Sequence, residues 1–380
     1  LLGDRYPSDV FHLLVTAICI IFVMPYVGLQ SAGIGAGLEV LTGGAIPYMV
    51  GTSAAAVAML IYVTVGGMRA VAWTDAIKGV MVTVILISGT FWVSNAIWGS
   101  PVTGFIKTFK AVAAQRPEIL THPGPHGLFT IQFLISYFIL FSFGNMSQPQ
   151  LWIRMYLPKR RISFWHFAIL FGAMELLIWL WPPIWGFMGQ VVYGSGLSWK
   201  EADVVLQKLS TDYMPYWFAS LMLLGLTCAA MSTADSQLLT VSALTSKDLF
   251  KLHLKKDATE SQMVLIGRIF VAVYVIIALL IAWARPVMFI EFVSVLTWPA
   301  TLQLMPATIG GLYWKRGSTP AALWGTGVGL AIVILLTWVY RVNPLGFSPA
   351  MWGVLVNTIL YVAISYKTKV SEEIVQRYFG

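Results

Sequence analysis

The stretch YMPYWFASLMLLGLTCAAMSTADSQLLTVSALTS, residues 213–246, decides the fold class. It contains a single charged residue, Asp235, and exceeds the ~20 apolar residues that a helix needs to cross a bilayer. Its polar groups crowd into one short run, Cys228-Ala229-Ala230-Met231-Ser232-Thr233-Ala234-Asp235-Ser236-Gln237. On a helix, Ser232 and Thr233 lie three and four residues after Ala229, so their hydroxyls rise over one face near its carbonyl. Neutral hard oxygens of this kind suit a hard monovalent cation, whereas zinc would want Cys or His. The same atoms also admit a plainer reading: small residues packing between helices, with hydroxyls bonded back to the previous turn. Asp235 favours function, because an acid at membrane depth is expensive to bury.

The rest of the chain repeats this composition. Of 380 residues, 58% are hydrophobic and 11% charged, with a mean hydropathy of +0.77. A soluble domain carries roughly 25% charged residues. The balance excludes a soluble enzyme, a disordered chain and a secreted disulfide scaffold. Apolar segments recur at about 11–38, 46–66, 74–98, 128–152, 163–193, 213–246, 262–284, 288–313, 320–340 and 348–366. Turn signals such as Gly66-Gly67, Arg285-Pro286 and Arg341-Val342-Asn343-Pro344 separate them. Barrel strands would be shorter and half polar, so the expectation is an all-α integral membrane protein with ten transmembrane helices in the lipid bilayer. Of the 24 Lys and Arg residues, 17 fall on alternate connections, among them Arg5, Arg154, Lys159, Lys251 and Lys315. That set marks the cytoplasmic side. The net charge of +8 is therefore a topology signal and not a nucleic-acid surface. Cys19 and Cys228 lie inside apolar runs and read as buried hydrophobes.

Two further stretches interrupt the apolar pattern. The fourth segment contains Phe143-Gly144-Asn145-Met146-Ser147-Gln148-Pro149-Gln150. Gly144 and Pro149 both weaken a helix, and Pro149 removes a backbone donor. Backbone freed at membrane depth is tolerated only where it is buried or lines a cavity, and broken helices build substrate sites in transporters. The plainer alternative is a proline kink near the cytoplasmic interface. The third segment opens on Gly66-Gly67-Met68-Arg69-Ala70-Val71-Ala72-Trp73-Thr74-Asp75-Ala76-Ile77-Lys78. There Asp75 is either an acid at a helix N-terminus, with Lys78 snorkelling, or part of a cation exit route.

Together, the run at 66–75, the run from Gln148 to Arg154, the run from Ala229 to Leu239 and Gly311-Leu312-Tyr313-Trp314-Lys315-Arg316 resemble the sodium/solute symporter family. That family includes proline, pantothenate, sialic acid and sodium/glucose cotransporters. The resemblance implies an inverted-repeat transporter fold working by alternating access, with sodium as the coupling ion and no other cofactor. It implies a main sodium site at the Ala229 carbonyl and the Ser232 and Thr233 hydroxyls. A second cation or exit path would involve Asp75, Lys78, Asp235 and Ser236. A small polar or anionic solute would lie against Asn145, Gln148 and Gln150, with Gln30, Glu291 and Ser294 as weaker candidates.

The chain departs from the family pattern twice. Its segments match core helices three to ten, within 1–313, plus two peripheral helices within 314–380, all in one transmembrane domain. The first two core helices are missing, which reads as an N-terminal truncation. Lys78 also stands where many members carry Gln, three residues after Asp75 on the same helix face. A buried ammonium needs a partner, and Asp75 or Asp235 would supply it. Lys78 would then occupy the second cation position or couple transport to protons.

Competing classes are a symporter-like sensory module, to be recognised by a signalling domain beyond Gly380, and an intramembrane enzyme. His122 and His126 flank Pro123 and Pro125 and cannot form a helical ligand pair, and Glu175 stands alone in its segment. The enzyme reading is set aside, and the expected setting is the cell membrane. Oligomeric state and the identity of the solute leave no mark in the sequence.

Overall fold

The computed structural model describes residues 2–125, 127–156, 162–284 and 293–380. Among them the regular structure is all helix, and eight helices are long and apolar enough to cross a membrane. We name α1 (Asp9–Leu41), α2 (Tyr48–Gly66) and α3 (Val71–Trp98), then the shorter apolar α4 (Ile131–Asn145). There follow α5 (Pro149–Met155), α6 (Phe164–Tyr193), α7 (Tyr216–Leu254) and α8 (Glu260–Ala284). Then come α9 (Trp298–Leu302), α10 (Met305–Tyr313), α11 (Thr319–Val339) and α12 (Pro349–Lys367), and a short terminal helix Glu372–Phe379. Eight of the ten expected segments are thus continuous spans. The fourth and eighth are each divided into shorter helices, the fourth as its Gly and Pro predicted.

The turn expected at Gly66-Gly67 takes a different form. The backbone is helical without interruption from Tyr48 to Trp98, yet the Tyr62 hydroxyl bonds the Thr74 hydroxyl. In a straight helix those residues would stand about 18 Å apart along the axis. The helix therefore folds back on itself between them, where glycine pairs allow sharp kinks, and α2 and α3 are two spans.

The ends that charge assigns to one side meet one another. Arg5 is buried, and its Nε donates to the Gly311 carbonyl at 3.1 Å. Arg377 pairs with Asp4 at 2.9 Å, and His12 meets His253 at 3.3 Å. On the opposite side the Tyr48 hydroxyl donates to the Ala282 carbonyl at 2.7 Å, and Trp92 Nε1 to that of Tyr213 at 3.1 Å.

The main core is a seam between α1, α2, α7 and α8. Ala230, Ala234, Leu238 and Val241 form one stripe of α7, packed on Val27, Ile34, Met59, Val63, Val271, Tyr274 and Ala278. Their near-four-residue spacing is that of a helix with one buried face. This stripe fixes the rotation of α7 and turns its polar run onto the adjoining face.

Candidate cation and substrate site

On α7 the Ser232 hydroxyl donates to the Ala229 carbonyl at 2.9 Å, and the Thr233 hydroxyl donates to the same oxygen at 3.4 Å. Three neutral oxygens are thereby gathered within one turn. Ala229, Ser232 and Thr233 are half-buried, beside the fully buried Ala234 and Asp235. The back-bonding is that of the plainer reading, but it also converges the oxygens that a desolvated alkali ion requires.

One turn further along α7 the chemistry becomes ionic. Asp235 is 0% exposed, and its Oδ2 accepts from Lys78 Nζ at 2.7 Å. The same ammonium lies 3.7 Å from Asp75 Oδ1 and 4.7 Å from the centre of the Tyr62 ring, close enough for a cation–π contact. Asp75 Oδ2 in turn accepts from Arg154 at 2.5 Å, and the Arg154 guanidinium also donates to the Ser236 hydroxyl. Asp75, Lys78, Asp235 and Ser236 are therefore brought into one cluster. Lys78 does not snorkel: its side chain is 13% exposed and points at two acids.

Asn145, Gln148 and Gln150 also come together. Gln148 follows the π turn Leu140–Asn145 in extended conformation, as a residue before proline prefers. Pro149 takes the first position of α5, where its missing N–H is no loss. Across the break, Gln150 Nε2 donates to Gln148 Oε1 at 2.8 Å, and Gln148 Nε2 donates to Asn145 Oδ1. Gln30 is not joined to them. Its amide donates to the Tyr26 carbonyl of its own helix at 3.3 Å. Its neighbour Leu29 packs against the cluster of Leu140, Trp298, Leu302 and Ala350, which joins the two broken segments. Glu291 lies outside the described residues, as does the side chain of Ser294.

Three features went unread in the sequence. Arg154 served as a topology marker and as the end of the Gln148–Arg154 run, and was given no place in the site. Gln237 is fully buried, with neither amide atom hydrogen-bonded among the described residues. The two breaks also touch. Thr301 donates to the Gly144 carbonyl at 2.7 Å, and a Cβ on Gly144 would stand 2.7 Å from the Trp298 carbonyl oxygen. Gly144 is thus required by close approach as well as by the break.

The profile of the sodium:solute symporter family matches residues 1–329. The chain belongs to that family. It is an integral protein of the cell membrane with the inverted-repeat transporter fold. Among similar family members is the sodium/pantothenate symporter of Haemophilus influenzae, 28% identical over 73% of this chain and 56% of its own length. That of Escherichia coli is 25% identical over 95% of this chain and 73% of its own. The high-affinity proline transporter PutP of Bacillus subtilis is 25% identical over 81% and 64%. The chain thus spans little more than half of the first relative and about two thirds to three quarters of the others. A sodium-coupled sialic acid symporter, solved substrate-bound and outward-open, superposes with a TM-score of 0.75. It is 17% identical and covers 97% of this chain and 76% of its own, a likeness of fold.

Proposed function

We propose that this family member is a secondary active transporter of the cell membrane, carrying a small polar or anionic organic solute inward with sodium by alternating access. Its relatives are named as transporters, and we read the chain as a transporter and not an enzyme. The observation that carries the proposal is the convergence of the Ser232 and Thr233 hydroxyls on the Ala229 carbonyl oxygen inside a membrane span. These atoms would take the ion. Asp75, Lys78, Asp235 and Ser236 would line its inward exit. The amide row Asn145, Gln148 and Gln150 would face the solute, with Gln30, Glu291 and Ser294 as weaker candidates, because amides both donate to carboxylates and accept from ammonium or hydroxyl groups. Residues 1–313 would form the transporting core and 314–380 its periphery.

Each inward sodium gains about 2.3 kcal/mol per 100 mV of membrane potential. Coupling requires that ion and solute favour the same arrangement, and their mutual effect on affinity is reciprocal. The test is uptake of labelled proline, pantothenate, sialic acid and related acids into proteoliposomes, with an inward sodium gradient or none. Sodium-dependent accumulation of one solute, lost or strongly right-shifted in sodium by Ser232→Ala with Thr233→Ala, is expected. Accumulation indifferent to sodium and to both changes overturns the assignment.

A further inference from the structure

Among the described residues, the charged cluster contains as many fixed cations as acids. Asp75 and Asp235 contribute two negative charges, Lys78 and Arg154 two positive ones, and each acid has its own cation within 2.7 Å. Asp235 is 0% exposed and Asp75 13%. A pair of acids buried to this degree is a ready-made cation site, since a carboxylate in low dielectric demands a compensating charge. Here the demand is met from within the chain. Lys78 spans both acids, 2.7 Å from one and 3.7 Å from the other, with its ammonium over the Tyr62 ring.

We propose that Lys78 is a resident cation, whose ammonium fills the place between Asp75 and Asp235 that a free alkali ion would otherwise take. The chain then binds one sodium ion, at Ala229, Ser232 and Thr233. This rests on the sodium reading above and adds to it the number of ions. A metal ion entering the cluster would sit beside an ammonium with no acid left to balance it, and like charges at such distances repel strongly in low dielectric. Removing the ammonium leaves the cluster one negative charge in excess. It also leaves a fully buried oxygen, Asp235 Oδ1, which already lacks a hydrogen-bond partner among the described residues, and frees Oδ2 beside it. Lys78→Gln should therefore create an ion site where the native chain has none.

The experiment is equilibrium binding of radioactive sodium, with no solute present, to the purified full chain in detergent. The native protein is expected to saturate at one ion per chain, and Lys78→Arg at one as well. Lys78→Gln should saturate at two. Ser232→Ala with Thr233→Ala should abolish the single ion of the native protein but leave one on the Lys78→Gln background. Two ions on the native chain overturn the inference, independently of how any variant folds. So does one ion on a Lys78→Gln protein with native helical content and a monodisperse elution profile, a result that leaves the sodium reading standing. No bound sodium on the native chain defeats the sodium reading, and this inference with it.

Discussion

Two polar clusters lie a single turn apart on α7, and they handle charge in opposite ways. Around Ala229, Ser232 and Thr233 every group is neutral, and each hydroxyl turns to a backbone carbonyl. Around Asp235 the polar contacts are ionic, and among the described residues the charges of Asp235, Asp75, Lys78 and Arg154 cancel. A neutral cluster of oxygens can admit an ion, since only its own hydroxyls, and no fixed charge, compete for the carbonyl oxygen. A balanced ionic cluster gains nothing from a further ion and serves to join elements. It ties α3 and α7 to α5, the stub beyond the first broken helix. On the proposed reading, neighbouring turns of one helix divide the work between binding and holding.

That division can be broken most forcibly at Asp235. Asp235→Asn leaves a buried ammonium with only its weaker partner, and the cost should be about 3 kcal/mol. It would appear as a clear fall in the unfolding midpoint measured without sodium. Adding Lys78→Gln to the same protein should recover part of the loss, because removing both partners of a buried pair costs less than removing one. A double variant no better than Asp235→Asn would mean that the pair does not hold the fold.

Gly144→Ala should cost about 2 kcal/mol through overpacking, because its Cβ meets backbone of α9 rather than a yielding side chain. Gly172→Ala in α6 is the control: a Cβ there meets nothing within 4 Å. It should leave the midpoint unchanged or slightly higher. Equal losses at both glycines would deny that the two breaks depend on close contact.

The neutral cluster should show the reverse pattern. Ser232→Ala with Thr233→Ala should raise the sodium concentration for half-maximal thermal stabilisation at least tenfold, about 1.4 kcal/mol. The midpoint without sodium should move less than in Asp235→Asn. A large loss of sodium-free stability with unchanged sodium response would reverse the roles of the two clusters.

The smallest effect belongs to a charge in water. Glu201 closes a capping box with Ser198 in the connection before α7, and hydrogen bonds from the Ser198 backbone and hydroxyl, helped by Lys208, pull its carboxyl down to about 2. A depressed carboxyl stabilises the folded chain above its ordinary value near 4.5 and loses that contribution as pH falls toward 2. The native protein and Glu201→Gln should therefore converge in midpoint over that interval and differ only slightly at neutral pH.

Much of this was legible in the chain. Gly144 and Pro149 announced the first break, since one packs poorly in a helix and the other lacks a donor. The second break was not singled out, although Pro299 and Pro306 flank it, because Leu302, Leu304 and Met305 around Gln303 keep the segment apolar. Gly66-Gly67 signalled the reversal between α2 and α3, but the sequence does not say that helical backbone continues through it. Gln30 looked equivalent to the amides of the break, yet its side chain is spent on the turn before it.

Composition and helical period alone determined that the chain crosses a bilayer repeatedly, which ends share a side, and that Ser232 and Thr233 overlie Ala229. Each of these depends on residues within a turn or two, or on sums over whole segments. Which cation answers which acid was decided by tertiary structure. Lys78 and Asp235 are 157 residues apart and Arg154 and Asp75 79 apart. Their meeting depends on the rotation that the buried stripe of α7 imposes and on the fold-back between α2 and α3. Helical spacing offered Lys78 only Asp75, at the nearer remove of three residues. Packing gave it the deeper acid, because a carboxylate without access to water has the greater need of a countercharge.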